Sequence, residues 1–294
     1  MPMTRIRHWI TRLQKALLWC LKWQAVRCWI RLGYASKGMV YFFVGFLALR
    51  AALGDPVTIV GTEEALLVLL RQPLGATAVT VLSAGLCGYG FWRFVQAIAD
   101  PEHDRKLGFK SIGQRIGYLM SGLAYSNLAY ESADFVLDSE PVETDALDET
   151  VSQILQYGFG ELLLALGALP IFGIGAIYIY GALSGEFISE FRHTCDLLDR
   201  TSYRWLRKAA TYLAQIGYTA RGVAILVIGT GFVRAALTSS VKPVGGLQEA
   251  LQQLLERSYG TEGLALIALG FIAYAVYMVF AAFYRRFKCG EAAA

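Results

Sequence analysis

The chain has 294 residues, 55% of them apolar and 17% charged, with a mean hydropathy of +0.44 and a formal net charge of +4. Soluble globular domains carry about 45–50% apolar and about 25% charged residues. The balance argues against a soluble enzyme, a disordered chain and a nucleic-acid binder, and it points to a protein built into a bilayer.

Residues 1–31 hold seven basic side chains, no acid, and the tryptophans Trp9, Trp19, Trp23 and Trp29. Ile6, Trp9, Leu13, Leu17, Cys20 and Leu21 recur at helical spacing. This predicts a basic amphipathic helix at the cytoplasmic headgroup level, with docking of a partner as the rival reading. The segment has no uninterrupted apolar core and does not read as a cleavable signal. Six spans follow. Residues 72–92, 162–185 and 263–284 are stretches of more than 20 residues with no charge in their interiors. Residues 34–53, 116–137 and 216–237 are weaker, with charges toward their ends. A crossing needs about 20 apolar residues, and long basic side chains at span ends reach the headgroups while their stems stay in lipid. A re-entrant path for the weaker segments stays open.

Orientation follows from the basic residues. If all six segments cross, 19 of the 27 Lys and Arg fall on the side of both termini and 5 on the other. The acids are biased the other way, and residues 131–161 contain nine of them and no base. The positive-inside rule then places both termini in the cytoplasm. The cysteines Cys20, Cys28, Cys87, Cys195 and Cys289 and the three histidines are scattered, so neither a disulfide framework nor a metal site is expected.

The chain repeats itself three times. Gly33-Tyr34, Gly117-Tyr118 and Gly217-Tyr218 each open a span pair, followed by Gly38, Gly122 and Gly222. The residue before that second glycine is Lys37, Ser121 or Arg221, and Tyr41 and Tyr125 align with Ile225. The linkers 61–75 and 246–260 share seven of 15 positions without a gap. The middle linker, 146–160, keeps Glu149 opposite Glu64 and Glu249. Gly85, Pro170 and Gly270 fall at one offset in the second spans. The unit is a span, a short amphipathic outer helix and a second span. The expected fold is all-α: a polytopic membrane protein of six transmembrane helices in three homologous hairpins, after the N-terminal helix. Residues 1–31 form that helix, and residues 32–101, 116–187 and 216–286 form the repeats.

Gly217-Tyr218-Thr219-Ala220-Arg221-Gly222, Gln72-Pro73-Leu74-Gly75, the run Gly85-Leu86-Cys87-Gly88-Tyr89-Gly90-Phe91-Trp92-Arg93 and the closing Asp100-Pro101 resemble the bacterial domain of unknown function 1206 family. The resemblance covers about residues 30–286. It implies three copies of a two-span unit and an inner-membrane location, and it carries no activity. The middle copy departs most, with Ser121 in place of the basic residue and no Tyr-Gly-x-Trp-Arg run.

Six residues are singled out. Lys37 and Arg221 are placed one turn into their spans, at helix N-termini where the macrodipole disfavours cations; anionic lipid is the simplest compensating partner. Arg93 is the deepest charge in a strong span and reads either as an anchor, paired with Asp100 or snorkelling, or as a functional group. Glu64, Glu149 and Glu249 recur in the first turn of the outer helices. They read as helix caps, or more sharply as a ring of carboxylates that attracts cations. The acids from Asp134 to Asp148 read as a solvated loop. The many span glycines read as helix-packing contacts, or as a backbone-lined path. Gly85-x-x-Gly88-x-Gly90 lies inside a span and is no dinucleotide loop, and no cofactor or catalytic set is expected. The function expected is a non-enzymatic scaffold that contacts the lipid bilayer, anionic lipid included, or a membrane protein partner, and no nucleic acid. The alternative is a small channel or transporter with a pathway between the hairpins.

Overall fold

The computed structural model describes residues 12–99, 109–137, 146–185, 204–240 and 244–285. Among these the chain is all-helical, with ten helices and no strand. Helix α1 covers 12–20, α2 Gln24–Ala52, α3 Thr62–Leu70, α4 Gly75–Ala99, α5 Phe109–Leu137, α6 Ala146–Leu155, α7 Gly160–Ser184, α8 Arg204–Thr238, α9 Leu247–Leu255 and α10 Gly260–Tyr284. The order long, short, long occurs three times. The Asp100-Pro101 step, residues 3–11, the acidic run from Asp138 to Asp145, Cys195 and Cys289 lie outside the described residues.

Five helices, α2, α4, α7, α8 and α10, are long and apolar enough to cross a membrane. Their outward faces carry large apolar side chains: Met39, Phe42 and Phe46 on α2, Leu162, Leu166, Leu169 and Ile177 on α7, and Leu266, Leu269 and Phe283 on α10. Exposed apolar area of this extent suits lipid and not water. Six crossings were expected. Helix α5 has 29 residues but does not join the five, because Ser121, Ser126, Asn127, Glu131, Ser132 and Asp134 interrupt its apolar run.

Two helices start earlier than their bilayer-length windows. Helix α2 begins at Gln24, ahead of the span start at residue 34, and α8 begins at Arg204, ahead of residue 216. The 35 residues of α8 extend about 52 Å at 1.5 Å per residue, well beyond a hydrocarbon layer about 30 Å thick.

Helix ends follow local chemistry. At the end of α2, Gly54 takes a left-handed φ of 90°. Its N–H donates to the Ala51 carbonyl at 3.1 Å and that of Asp55 to the Arg50 carbonyl at 3.0 Å, the two bonds that close a Schellman cap. The Arg50 Nε to Asp55 Oδ2 ion pair at 2.7 Å lies outside it. Each short helix joins its following long helix through the same tight turn. The N–H groups of Gly75, Gly160 and Gly260 donate to the carbonyls of Gln72, Tyr157 and Arg257, each at 2.8 Å. A Cβ on Gly160 would lie 1.9 Å from the Ile154 carbonyl oxygen, and one on Gly260 would lie 2.1 Å from that of Leu255. Only glycine fits at these two turns.

The chain divides into two compact units. The first combines Met1–Lys37, Leu70–Leu137 and Met278–Ala294. Within it α4 packs along α5, and the Ser83 hydroxyl donates to that of Ser132 at 2.7 Å in the buried seam. Gln14 Nε2 donates to the Ile98 carbonyl at 2.9 Å and holds α1 against the end of α4. The second unit combines Gly38–Leu69 and Asp138–Tyr277. Within it α7 packs along α8. Val151 of α6, Leu164 of α7, Ala235 and Ala236 of α8 and Val244 form a buried cluster joined by Ile154 and Leu155. The apolar face of α6 therefore packs against α7 and α8.

Candidate functional site: two cation–tyrosine clusters

Glycine sets the geometry of both clusters. In the first unit, a Cβ on Gly33 would lie 2.5 Å from the Tyr89 backbone nitrogen, and one on Gly85 would lie 2.1 Å from Ser36 Oγ. Helices α2 and α4 thus touch backbone to backbone, as small residues permit. One turn further along each helix stand Lys37 and Tyr89. In the second unit, a Cβ on Gly217 would lie 2.6 Å from the Tyr274 Cα, and one on Gly270 would lie 2.2 Å from the Ala220 Cβ. One turn further along stand Arg221 and Tyr274. The rule is the same twice: glycine then cation on the first span, glycine then tyrosine on the second, each four residues apart.

Lys37 is fully enclosed, with 1% of its surface exposed. Its Nζ donates to Tyr89 Oη at 2.8 Å and lies 4.3 Å from the centroid of the Tyr89 ring and 4.4 Å from that of Tyr125. Arg93 shares the same phenol. Its Nε donates to Tyr89 Oη at 2.8 Å, its Nη2 donates there as well, and its Nη1 donates to Gln96 Oε1 at 2.9 Å. The guanidinium also covers the Tyr118 ring at 5.3 Å. Arg285, 7% exposed, covers Tyr34 and Trp92 at 5.2 and 5.8 Å.

Arg221 has an equivalent setting. Its Nη1 donates to Tyr274 Oη at 3.0 Å, and its guanidinium lies 5.2 Å from the rings of Tyr41 and Tyr178 and 5.6 Å from that of Tyr274. The ring frames match. Tyr34 meets Tyr89 edge-on at 5.1 Å, as Tyr218 meets Tyr274 at 5.2 Å. Tyr89 meets Tyr125 at 4.8 Å, as Tyr274 meets Tyr41 at 5.0 Å. Cation–π contacts are worth about 0.5–1 kcal/mol when exposed and about 2 kcal/mol or more when desolvated. Stacked aromatic faces thus offset part of the cost of holding these charges away from water.

These positions correct one expectation. Lys37 and Arg221 are not first-turn residues: α2 starts more than three turns before Lys37 and α8 more than four turns before Arg221. The macrodipole argument falls, because that effect fades within the first turn. Lys37 faces tyrosines inside the protein, so a lipid phosphate is not what surrounds it. Arg93 is bound to Tyr89 and Gln96, while Asp100 lies outside the described residues.

The three glutamates divide. Glu64 Oε2 accepts the Gly61 N–H at 2.9 Å, the return half of a capping box at the start of α3. The Glu249 side chain folds back in the same sense, with its Cγ 2.1 Å from where a Cβ on Gly245 would stand. Glu149 Oε1 instead accepts from Gln153 Nε2 at 3.3 Å, one turn further along α6. A cap hydrogen bond is thus seen at Glu64. The glycines divide as well. Gly90 and Gly122 lie at the α4–α5 contact and Gly175 and Gly222 at the α7–α8 contact, but Gly117, Gly167 and Gly173 face open space.

Sequence reasoning missed the tyrosines as partners of the cations, and it missed Arg285. A signal was present. Where the first span carries Lys37 or Arg221, the second carries Tyr89 or Tyr274; where it carries Ser121, the same offset holds Ile174. The cation and its phenol vary together across the copies.

Paired long and short helices in triplicate, outward apolar faces and an interior knit by cations on tyrosines define a repeat-built helical protein of membrane type. The chain belongs to the family described as Domain of Unknown Function (DUF1206), which matches it at residues 32–100, 116–185 and 216–285. It is 26% identical over 269 residues to the uncharacterized protein YxxB of Bacillus subtilis (strain 168), covering 89% of this chain and 94% of that protein. No solved structure matches it.

Proposed function

We propose that the chain is a six-span protein of the bacterial inner membrane with both termini in the cytoplasm, and that it acts as a non-enzymatic scaffold holding lipid or a membrane partner. The sixth crossing would be α5. Its exposed Ile112, Ile116, Leu119, Met120 and Leu123 follow helical spacing and form an apolar stripe suited to lipid. The excess of basic residues in the segments beside the termini supports the orientation.

The observation that carries the scaffold reading is the setting of Lys37 and Arg221. Each cation is seated on tyrosines beside a glycine contact between helices. Interior charge held in this way locks helices together. The rival reading is a small channel or transporter, favoured by the placement of ionisable groups inside membrane-length helices. Proteoliposomes holding the purified chain decide between them. The scaffold predicts no solute or ion flux above empty liposomes, together with loss of thermal stability in Lys37→Met and Arg221→Met. A flux that either substitution abolishes while the protein stays folded overturns it. Periplasmic labelling of a cysteine placed at Arg207 in intact cells would overturn the orientation.

A further inference from the structure

Between α1 and α2 the chain turns a corner at residues 21–23. Leu21 is wholly buried and pins the corner inward, while Gln14 ties α1 to the end of α4. What the corner presents outward is of one kind. Trp19 and Trp23 are each 56% exposed and meet edge-on at 5.4 Å. Around them Arg12, Lys15, Lys22 and Arg31 are exposed and Arg27 is half-buried. No acidic residue precedes Asp55 in the sequence. Tryptophan rings favour the boundary between headgroups and acyl chains, where one end of the ring is apolar and the other wet. Basic side chains at that depth face phosphate.

We propose that this corner is a docking surface for anionic phospholipid headgroups, with Trp19 and Trp23 set in the interface and Lys15, Lys22, Arg27 and Arg31 reaching the phosphates. A corner tied to α4 through Gln14 holds Lys15 and Lys22 beside the two tryptophans, as a flexible basic tail does not. The second unit has a similar patch at the start of α8, where Trp205, Arg207, Lys208 and Tyr212 are exposed. The proposal does not rest on the scaffold reading, since a transporter could carry the same surface.

The test uses the full chain in nanodiscs of phosphatidylcholine with 30% phosphatidylglycerol, in a Trp205→Phe background. Either lipid is brominated in turn, at equal mole fraction, to quench tryptophan. Brominated phosphatidylglycerol should quench more strongly than brominated phosphatidylcholine. Each Lys or Arg near an anionic surface contributes about fivefold in affinity, so the variant Lys15→Gln, Lys22→Gln, Arg27→Gln, Arg31→Gln should lose the preference. Exposed charges are screened with a Debye length near 3 Å at 1 M salt, so 1 M NaCl should erase the preference in the parent chain. That arm decides the matter even where the variant does not fold. Equal quenching by the two lipids at low salt, or a preference that survives both salt and substitution, overturns the proposal. Tryptophans quenched by neither lipid would mean that protein covers the corner, and would overturn it too.

Discussion

Replacing Tyr89 with phenylalanine removes one oxygen and leaves the ring. That oxygen accepts from Lys37 Nζ at 2.8 Å and from the forked Nε and Nη2 of Arg93. A hydrogen bond to a charged group is worth about 1.5–3 kcal/mol, and a donor left buried without its acceptor costs its desolvation as well. Tyr89→Phe deprives two cations at once, so it should cost about 3–5 kcal/mol. Tyr274→Phe deprives one cation, Arg221, of its bond at 3.0 Å and should cost about 1.5–3 kcal/mol. Lys37→Met should cost less than Tyr89→Phe, because it removes the buried charge together with its need for a partner, and Arg93 still satisfies the phenol. The double variant Lys37→Met, Tyr89→Phe should then be less unstable than the sum of the two, since neighbours sharing one bond do not add. The assay is unfolding in mixed micelles, followed by tryptophan fluorescence, with Trp92 fully buried in the same unit. Equal costs for the two tyrosine variants, or a costlier Lys37→Met than Tyr89→Phe, would refute the shared-acceptor reasoning.

Three further outcomes are expected. Gly85→Ala and Gly217→Ala place a Cβ 2.1 and 2.6 Å from existing atoms and should lower the thermal midpoint. Gly117→Ala and Gly167→Ala meet nothing within 4 Å and should stabilise by about 0.5–1 kcal/mol, the helical advantage of alanine over glycine, as differential scanning in detergent would read. Gly260→Ala should fail to accumulate as folded protein, because its Cβ would lie 2.1 Å from a carbonyl oxygen; a monodisperse peak in size-exclusion chromatography would contradict this. Glu64→Gln should cost about 1 kcal/mol or less through its cap and the helix dipole, while Glu149→Gln, whose Oε1 accepts from Gln153 on an exposed face, should leave the same midpoint unchanged.

The threefold plan could be read in the sequence because it is written in residues whose role is local. A glycine at a tight turn, at 75, 160 and 260, repeats wherever the turn repeats. The short helices declared themselves by periodicity, and Glu64 by its capping position. The clusters were harder to read, because each joins residues far apart in the chain: Lys37 with Tyr125, Arg221 with Tyr41. Hydropathy marks a side chain's solvent and says nothing about which ring lies across the helix contact. The true starts of α2 and α8 were missed for a related reason. Backbone hydrogen bonding carries a helix beyond the apolar stretch, so a window scaled to the bilayer begins too late. The sixth crossing was placed from the charge pattern, whereas α5 carries enough serine, asparagine and acid to blur its apolar face.

The clusters also bear on how the protein is made. Lys37 belongs to the first copy and rests on Tyr125 of the second, whereas Arg221 of the third rests on Tyr41 of the first. A ribosome delivers the first partnership once the chain has emerged past residue 125. The other must wait until residue 274 is out, with Tyr41 already inserted. The Lys37 pairing can form during synthesis, while the Arg221 pairing stays unfinished until nearly the last helix arrives.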